Sequence, residues 1–454
     1  MDTSLSPEEE VISNRITELK QQLGDDLLIL GHHYQRDSIV MHADFLGDSF
    51  MLSQKAADSS AKFIVFCGVH FMAESADILT DDDQVVILPN LRAGCSMADM
   101  ANLADVTRCW NEILENSDLK DPINREDPDL PAPENENYLI PVTYMNSSAA
   151  LKSFVGEHGG IVCTSSNAEG ILNWAFERAG KNGKVLFFPD QHLGRNTGLV
   201  MGIPIEKMTT WTPGEVKNEQ DWVQINDSKL ILWHGFCSVH KRFTVEQIEE
   251  FRNENPDGIV VVHPECPRET VDASDANGST QFIRNFVQQQ PSGSSIAIGT
   301  EINMVARLAK EHPDKKIECL DDKICPCSTM YMIHPAYLMD VLERITEGEI
   351  PNQIKVTKDV QMGKKLAISL TKFTSSIFPS QMLKMVQVGE NAGALDDMLV
   401  EIGDMTDAEI KDHVLKLTAT IEPLISVFMG VMILTLALSI FLPIWDMYEA
   451  MSTS

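Results

Sequence analysis

LLILGHHYQ (27–35) decides the fold: apolar residues stop at a glycine and run into two histidines, a tyrosine and a glutamine. A short apolar run bounded by turn residues reads as a buried parallel strand. The same form returns as FIVFCGVH (63–70), YLIPVTYMNSS (138–148), VLFFPDQHLG (185–194), LILWHGFCSVH (230–240) and IVVVHPEC (259–266). Shorter runs stand at Val85–Leu88, Ile161–Cys163, Ser295–Ile298 and Lys316–Leu320. Between them, Phe45–Ala57 and Ile302–Lys310 carry helical spacing, while the proline-rich, acidic Ser117–Asn137 and the polar Pro204–Asp227 read as insertions. Alternating strands and helices give α/β layers with parallel sheets. In open α/β sheets ligands bind beyond the carboxyl ends of the strands, where this chain places His, Cys, Tyr, Asn, Ser and Glu.

The 454 residues leave room for about three domains at ~150 residues each. Lys and Arg number 36 against 67 Asp and Glu, a net charge of −31. So acidic a chain is no nucleic-acid binder and has no polybasic surface for anionic lipid. With 43% apolar and 23% charged residues it is globular rather than disordered. Its nine cysteines are odd in number and follow an acidic start, Met1–Glu10, unlike a secretory leader. A reducing compartment is expected.

Three strand ends run into a cysteine: ILPNLRAGC (87–95), LILWHGFC (230–237) and ECLDDKICPC (318–327). They read as a rough internal repeat, three α/β units each presenting one thiol. Three thiolates can hold an iron–sulfur cluster and leave its fourth iron open as a Lewis acid. Spacing alone does not choose the ligands. Cys67, Cys163 and Cys266 also follow or end strands, and free Cys is commonly a small buried hydrophobe. Structural zinc needs close-spaced pairs, and only Cys325–Cys327 is close.

A longer set of stretches runs in order over residues 11 to about 360: GHHYQ (31–35), ADFLGDSF (43–50), IVFCGVHFMAES (64–75), LPNLRAGCSMADM (88–100), VTYMNSSAALK (142–152), VCTSSNA (162–168), FPDQHLGRN (188–196), GFCSVH (235–240), HPEC (263–266), GST (278–280), GTEINMVARLA (299–309) and CPCSTMY (325–331). Together they resemble the quinolinate synthase family. The resemblance implies three pseudo-symmetric α/β/α units around a central active site, here 1–105, 106–240 and 241–360. It implies a [4Fe-4S] cluster on Cys95, Cys237 and Cys327. Cys327 is preferred to Cys325 because the family's cysteine stands three residues before a Met, here Met330. The implied reaction condenses iminosuccinate with dihydroxyacetone phosphate to quinolinate, phosphate and water on the route to NAD. Iminosuccinate would come from L-aspartate oxidase or aspartate dehydrogenase. That chemistry needs a general acid/base, for which Glu265 with His263 is the implied candidate, while Tyr34 positions the triose or relays a proton. The implied substrate-binding set is His32, Ser49, Tyr144, Met145, Asn146, Ser165, His263, Pro264, Glu265, Ser279 and Thr280. His70, Glu74, His192 and His240 are expected one step behind the substrate, without direct contact.

The tail changes character. FPSQMLKMVQVGENAGALDDMLVEIGDM (378–405) and IEPLISVFMGVMILTLALSIFLPIW (421–445) resemble the end of the type II secretion and type IV pilus inner-membrane platform protein. The uncharged run Leu424–Leu442 is expected to be a transmembrane helix over 421–445, after a helical segment at 361–420. Lys411 and Lys416 precede it and no Lys or Arg follows, which places the large N-terminal part on the cytoplasmic face of the inner membrane. The rival reading is a non-enzymatic secretion or pilus component with the α/β part as scaffold. A cluster-bearing redox sensor is a third.

Overall fold

The computed structural model describes residues 6–125, 130–321 and 326–356. Three sheets make up one compact unit. The first holds β1 (Leu27–His32), β2 (Phe45–Gly47), β3 (Phe63–Cys67) and β4 (Val85–Ile87) in the order β2-β1-β3-β4. The second holds β5 (Leu139–Tyr144), β6 (Ile161–Cys163), β7 (Lys184–Phe188), β8 (Met208–Trp211) and β9 (Leu230–Trp233) in the order β6-β5-β7-β9-β8. The third holds β10 (Ile259–Val262), β11 (Ala276–Asn277), β12 (Ser295–Gly299) and β13 (Lys316–Cys319) in the order β11-β10-β12-β13. Leaving β8 aside, each sheet repeats one order: second strand, first, third, last. These strands all pair in parallel.

All ten predicted runs lie in strands, and the reason is burial. Every residue of β1, β5 and β7 is buried, so an apolar run is the sequence form such a strand must take. Trimming one of these side chains, such as Ile29 or Leu186, to Ala costs about 2–5 kcal/mol through the cavity left behind. Gly31 is forced by packing, because a Cβ there would stand 2.9 Å from the Cβ of Ala43.

Two expectations change. Phe45–Gly47 is a strand, and the helix runs only over Ser49–Ala57. The Asp48 carboxylate accepts from the N–H groups of Phe50 and Met51 at 3.1 and 2.9 Å, which starts the helix there. Pro204–Asp227 is not a plain insertion. It supplies edge strand β8 and a helix, Glu219–Asp227, opened by an Asn218/Asp221 capping box.

The last described strand, β14 (Gln353–Ile354), returns to the first sheet and pairs antiparallel with β4. Helix Pro335–Thr346 packs on helix Pro7–Leu23, with Arg15 Nε 2.9 Å from Glu343. Among the described residues no helix is long and apolar enough to cross a membrane. The segments 361–420 and 421–445 lie outside the described residues.

Candidate active site

The repeated strand order delivers side chains to equivalent stations. The first strand of each sheet leads to a pair of candidate residues two apart: His32 and Tyr34 at the end of β1, Tyr144 and Asn146 at the end of β5, His263 and Glu265 after β10. The second strand leads to a serine near a helix start. Ser49 opens helix Ser49–Ala57, Ser165 precedes helix Ala168–Ala179, and Ser279 caps helix Thr280–Gln289. The last strand leads to a cysteine: Cys95 after β4, Cys237 after β9 and Cys327 after β13.

Glu265 is the hub. Its Oε1 accepts from the Tyr144 hydroxyl at 2.7 Å, and its Oε2 lies 2.8 Å from His240 Nδ1. His240 stacks on His263, with ring centroids 4.4 Å apart. On its far side His240 Nε2 lies 3.1 Å from Thr300 Oγ1, which is 2.9 Å from the Tyr34 hydroxyl. Glu265, His240 and His263 are almost wholly buried. Burial alone would raise the Glu265 carboxyl. The electrostatic interactions with His240 and His263 that favour the ionised form, and the hydrogen bonds from His240 and Tyr144, outweigh it and hold the group below the usual carboxylate range.

An ionised carboxylate only accepts, so His240 must carry its proton on Nδ1 and donate to Glu265. Its Nε2 and the Thr300 and Tyr34 hydroxyls form one hydrogen-bonded chain behind the ring. This tautomer follows from the network rather than from observed hydrogens. Burial, then the neighbouring His240, pushes His263 down to about 3, and burial holds His32 well below its ordinary value. Both are neutral imidazoles at neutral pH. Tyr34 and Tyr144 are pushed up by burial and then by Glu265, so both stay protonated donors.

The three cysteines meet beside this hub. All three pack against one apolar cluster. Cys237 Sγ, a His240 nitrogen and a Glu265 oxygen lie within 4.8 Å of one another. Burial pushes the Cys95 thiol up to about 12, with Cys327 adding to it. Burial, then Glu265, Cys327 and Cys95 together push Cys237 well above the thiol range. Each thiol thus feels the charge of the others, and a soft cation bound among them would reverse the penalty. The residues therefore fit a metal centre held by three thiolates. His240 and Glu265 are better read as an acid/base pair than as ligands, since they already bond each other. Cys67, Cys163 and Cys266 are buried in apolar core clusters, with Cys266 Sγ 3.7 Å from the Gly299 carbonyl. Cys325 lies outside the described residues.

Ser165 is close enough to Tyr144 to act on its hydroxyl. Ser49, Met145, Asn146, Pro264, Ser279 and Thr280 keep their strand-end stations, but among the described residues their side chains make no hydrogen bond to Glu265. Glu74 instead accepts from the Ala149 N–H at 3.0 Å. His240, expected one step behind the substrate, bonds Glu265 directly. Thr300 was not singled out at all. Its signal was the GTE that follows β12, a polar group at a strand end just before a helix.

Residues 14–371 match the family model described as Quinolinate synthetase A protein. The chain is 54% identical to a quinolinate synthase of Corynebacterium glutamicum over 79% of its own length and 86% of that protein. It is 47% identical to one from Rhodopirellula baltica, covering 80% and 91%, and 46% identical to one from Bacillus cereus, covering 79% and 92%. Residues 339–443 match the model of Type II secretion system (T2SS), protein F.

Proposed function

The chain belongs to the quinolinate synthase family, the enzymes that make quinolinate on the route to NAD, and from that premise we propose how its own side chains divide the work. Cys95, Cys237 and Cys327 hold a [4Fe-4S] cluster, which when bound supplies a Lewis-acidic iron with an open position toward a hydroxyl or carbonyl oxygen. What supports the ligand set is one cysteine after the last strand of each sheet, with the thiols near enough to oppose one another's charge.

Iminosuccinate carries two carboxylates and dihydroxyacetone phosphate one phosphate. The stations of Ser49, Ser165 and Ser279–Thr280, each near a helix start, offer one anion seat apiece. Neutral His32, His263 and Asn146 donate to the same groups without adding charge. Met145 and Pro264 line the seat with their backbones and apolar surface.

Glu265 takes the proton that must leave carbon as the new bonds form, since its carboxylate stays ionised. Glu265, protonated by that step, gives the same proton back when a hydroxyl departs as water, while the His240 Nδ1–H bond holds the carboxyl in place. Thr300 and Tyr34 hold the His240 ring from the far side. The observation that carries this reading is the Tyr144–Glu265–His240 hydrogen-bonded set beside Cys237.

The contiguous units 1–105, 106–240 and 241–360 are our division of the enzyme, with β14 returning to the first. The T2SS protein F match supports reading 361–420 as a platform-like helical segment. We read 421–445 as a membrane helix holding the enzyme at the cytoplasmic face of the inner membrane.

The test is anaerobic reconstitution followed by quinolinate formation from both substrates. E265Q should lose about 10²–10⁴-fold in kcat while keeping the wild-type cluster spectrum. Near-wild-type turnover by E265Q would remove Glu265 from the chemistry. A chain cut after residue 360 should keep activity and lose membrane association; an inactive but folded truncation favours the scaffold reading.

A further inference from the structure

We propose that two buried acids, Asp190 and Glu301, are positioning residues that fix the cysteine-bearing loops after β9 and β13. The proposal rests on the reading of Cys237 and Cys327 as cluster ligands.

The two acids occupy one station. Asp190 follows β7 and caps helix Gln191–Val200; Glu301 follows β12 and caps helix Ile302–Glu311. Both are 0% exposed, where a carboxyl group is costly unless its oxygens are met by donors. One oxygen of each does the ordinary capping work. Asp190 Oδ1 accepts from Leu193 N–H at 2.7 Å, and Glu301 Oε2 accepts from Asn303 N–H at 2.8 Å.

The second oxygen of each caps no helix N–H. Glu301 Oε1 accepts from the backbone N–H of Cys327 at 3.3 Å and from Asn303 Nδ2 at 2.9 Å. Asp190 Oδ2 is buried with no partner at hydrogen-bond distance, while the Cys237 N–H faces the same carboxyl at longer range. The Cys237 loop is pressed onto this station. Gln191 N–H donates to Gly235 at 3.0 Å, and a Cβ on Gly235 would stand 2.3 Å from the Pro189 carbonyl oxygen.

The first unit shows that the fold itself does not demand an acid here. Its equivalent helix, His70–Leu79, is preceded by Val69 and has no side-chain cap. There the backbone alone holds the loop, His70 N–H donating to Ala93 at 2.8 Å. The second and third units add a carboxylate to the same arrangement, aimed at the amide of the cysteine itself. Groups that orient metal ligands from one step behind typically change metal affinity about 10–100-fold when removed.

The decisive variant is E301D. Aspartate still caps a helix, but the side chain is shorter by one carbon, roughly 1.5 Å, and withdraws from Cys327. Reconstituted wild type, E301D, E301Q, D190A and D190N are challenged with a ferrous chelator. Iron release, the EPR spectrum of the reduced cluster and the melting temperature of the metal-free protein are recorded. N218A is the control, since it loses an N-cap with no cysteine behind it.

E301D and D190A should release iron about 10–100-fold faster, with an altered EPR spectrum. E301Q and D190N, whose amide keeps one acceptor oxygen for the helix cap but turns an N–H donor toward the cysteine loop, should also release iron faster than wild type, while N218A should stay within a few-fold of it. Should D190A fail to fold, E301D alone carries the test. A wild type that takes up no cluster overturns the reading beneath the proposal. A wild type that does, with E301D releasing iron at the same rate or N218A releasing it equally fast, overturns this proposal alone.

Discussion

Replacing Tyr144 with Phe tests the electrostatics of the hub. Tyr144 is 6% exposed and gives Glu265 one of its two short hydrogen bonds, 2.7 Å against 2.8 Å from His240. Phenylalanine fills the same ring volume, so no cavity opens and the loss is confined to one donor. A hydrogen bond to a buried charge is worth about 1.5–3 kcal/mol, and one pKa unit corresponds to about 1.36 kcal/mol. The Glu265 pKa should therefore rise by about one to two units. Glu265 is held down to about 2, so the shifted group titrates at about 3–4, below the range in which turnover is followed. The readout is the carboxyl stretch of Glu265, identified by its loss in E265Q and followed by infrared difference spectroscopy of the metal-free protein from about pH 6 downward in wild type and Y144F. A Glu265 transition that stays put, or moves to lower pH, would refute the reasoning.

His33 and His263 are each pushed down to about 3, first by burial. Such depressed groups contribute stability that is fully present above the unfolded value of about 6.5 and lost as pH falls toward 3. The urea midpoint should accordingly drop between pH 7 and pH 5; an equal or higher midpoint at pH 5 contradicts this. Arg307 is buried and donates to the His33 and Gln35 carbonyls at 3.0 and 2.6 Å and to Asp37 at 3.1 Å, tying the third sheet's helix to the GHHYQ turn. R307M should lower the melting temperature, each orphaned carbonyl costing about 1–3 kcal/mol, and an unchanged melting curve would show that the tie is idle. G31A should destabilise by about 1–3 kcal/mol through its clash with Ala43, measured by the same denaturation; a neutral result means β1 and β2 can part without cost.

Most of the sheet framework was legible because buried parallel strands leave apolar runs. Ile259–Val262 and Val185–Phe188 have no other plausible use. β2 was not legible: three residues ending at Gly47 have no period of their own, and the Asp48 cap that divides strand from helix is a single side chain. β8 hid inside a polar segment because it is an edge strand. At the site, the strand-end repeat pointed to cysteines without choosing among them, and the family resemblance supplied Glu265 and the ligand set. Partnership stayed hidden, since His240 reaches Glu265 across a strand connection and Thr300 comes from another strand of the third sheet. Asp190 and Glu301 look in sequence like any acid before a helix; only burial and the second oxygen distinguish them.

The central claim is that one cysteine from each unit holds the metal centre of a quinolinate-forming enzyme. Iron content and quinolinate formation, measured together on anaerobically reconstituted wild type, C95A, C237A, C327A, C67A and C266A, test it most directly. The account predicts that the first three variants lose both signals while C67A and C266A keep both. Full activity in C95A or C237A, or iron and turnover lost in C67A as completely as in C95A, would contradict it.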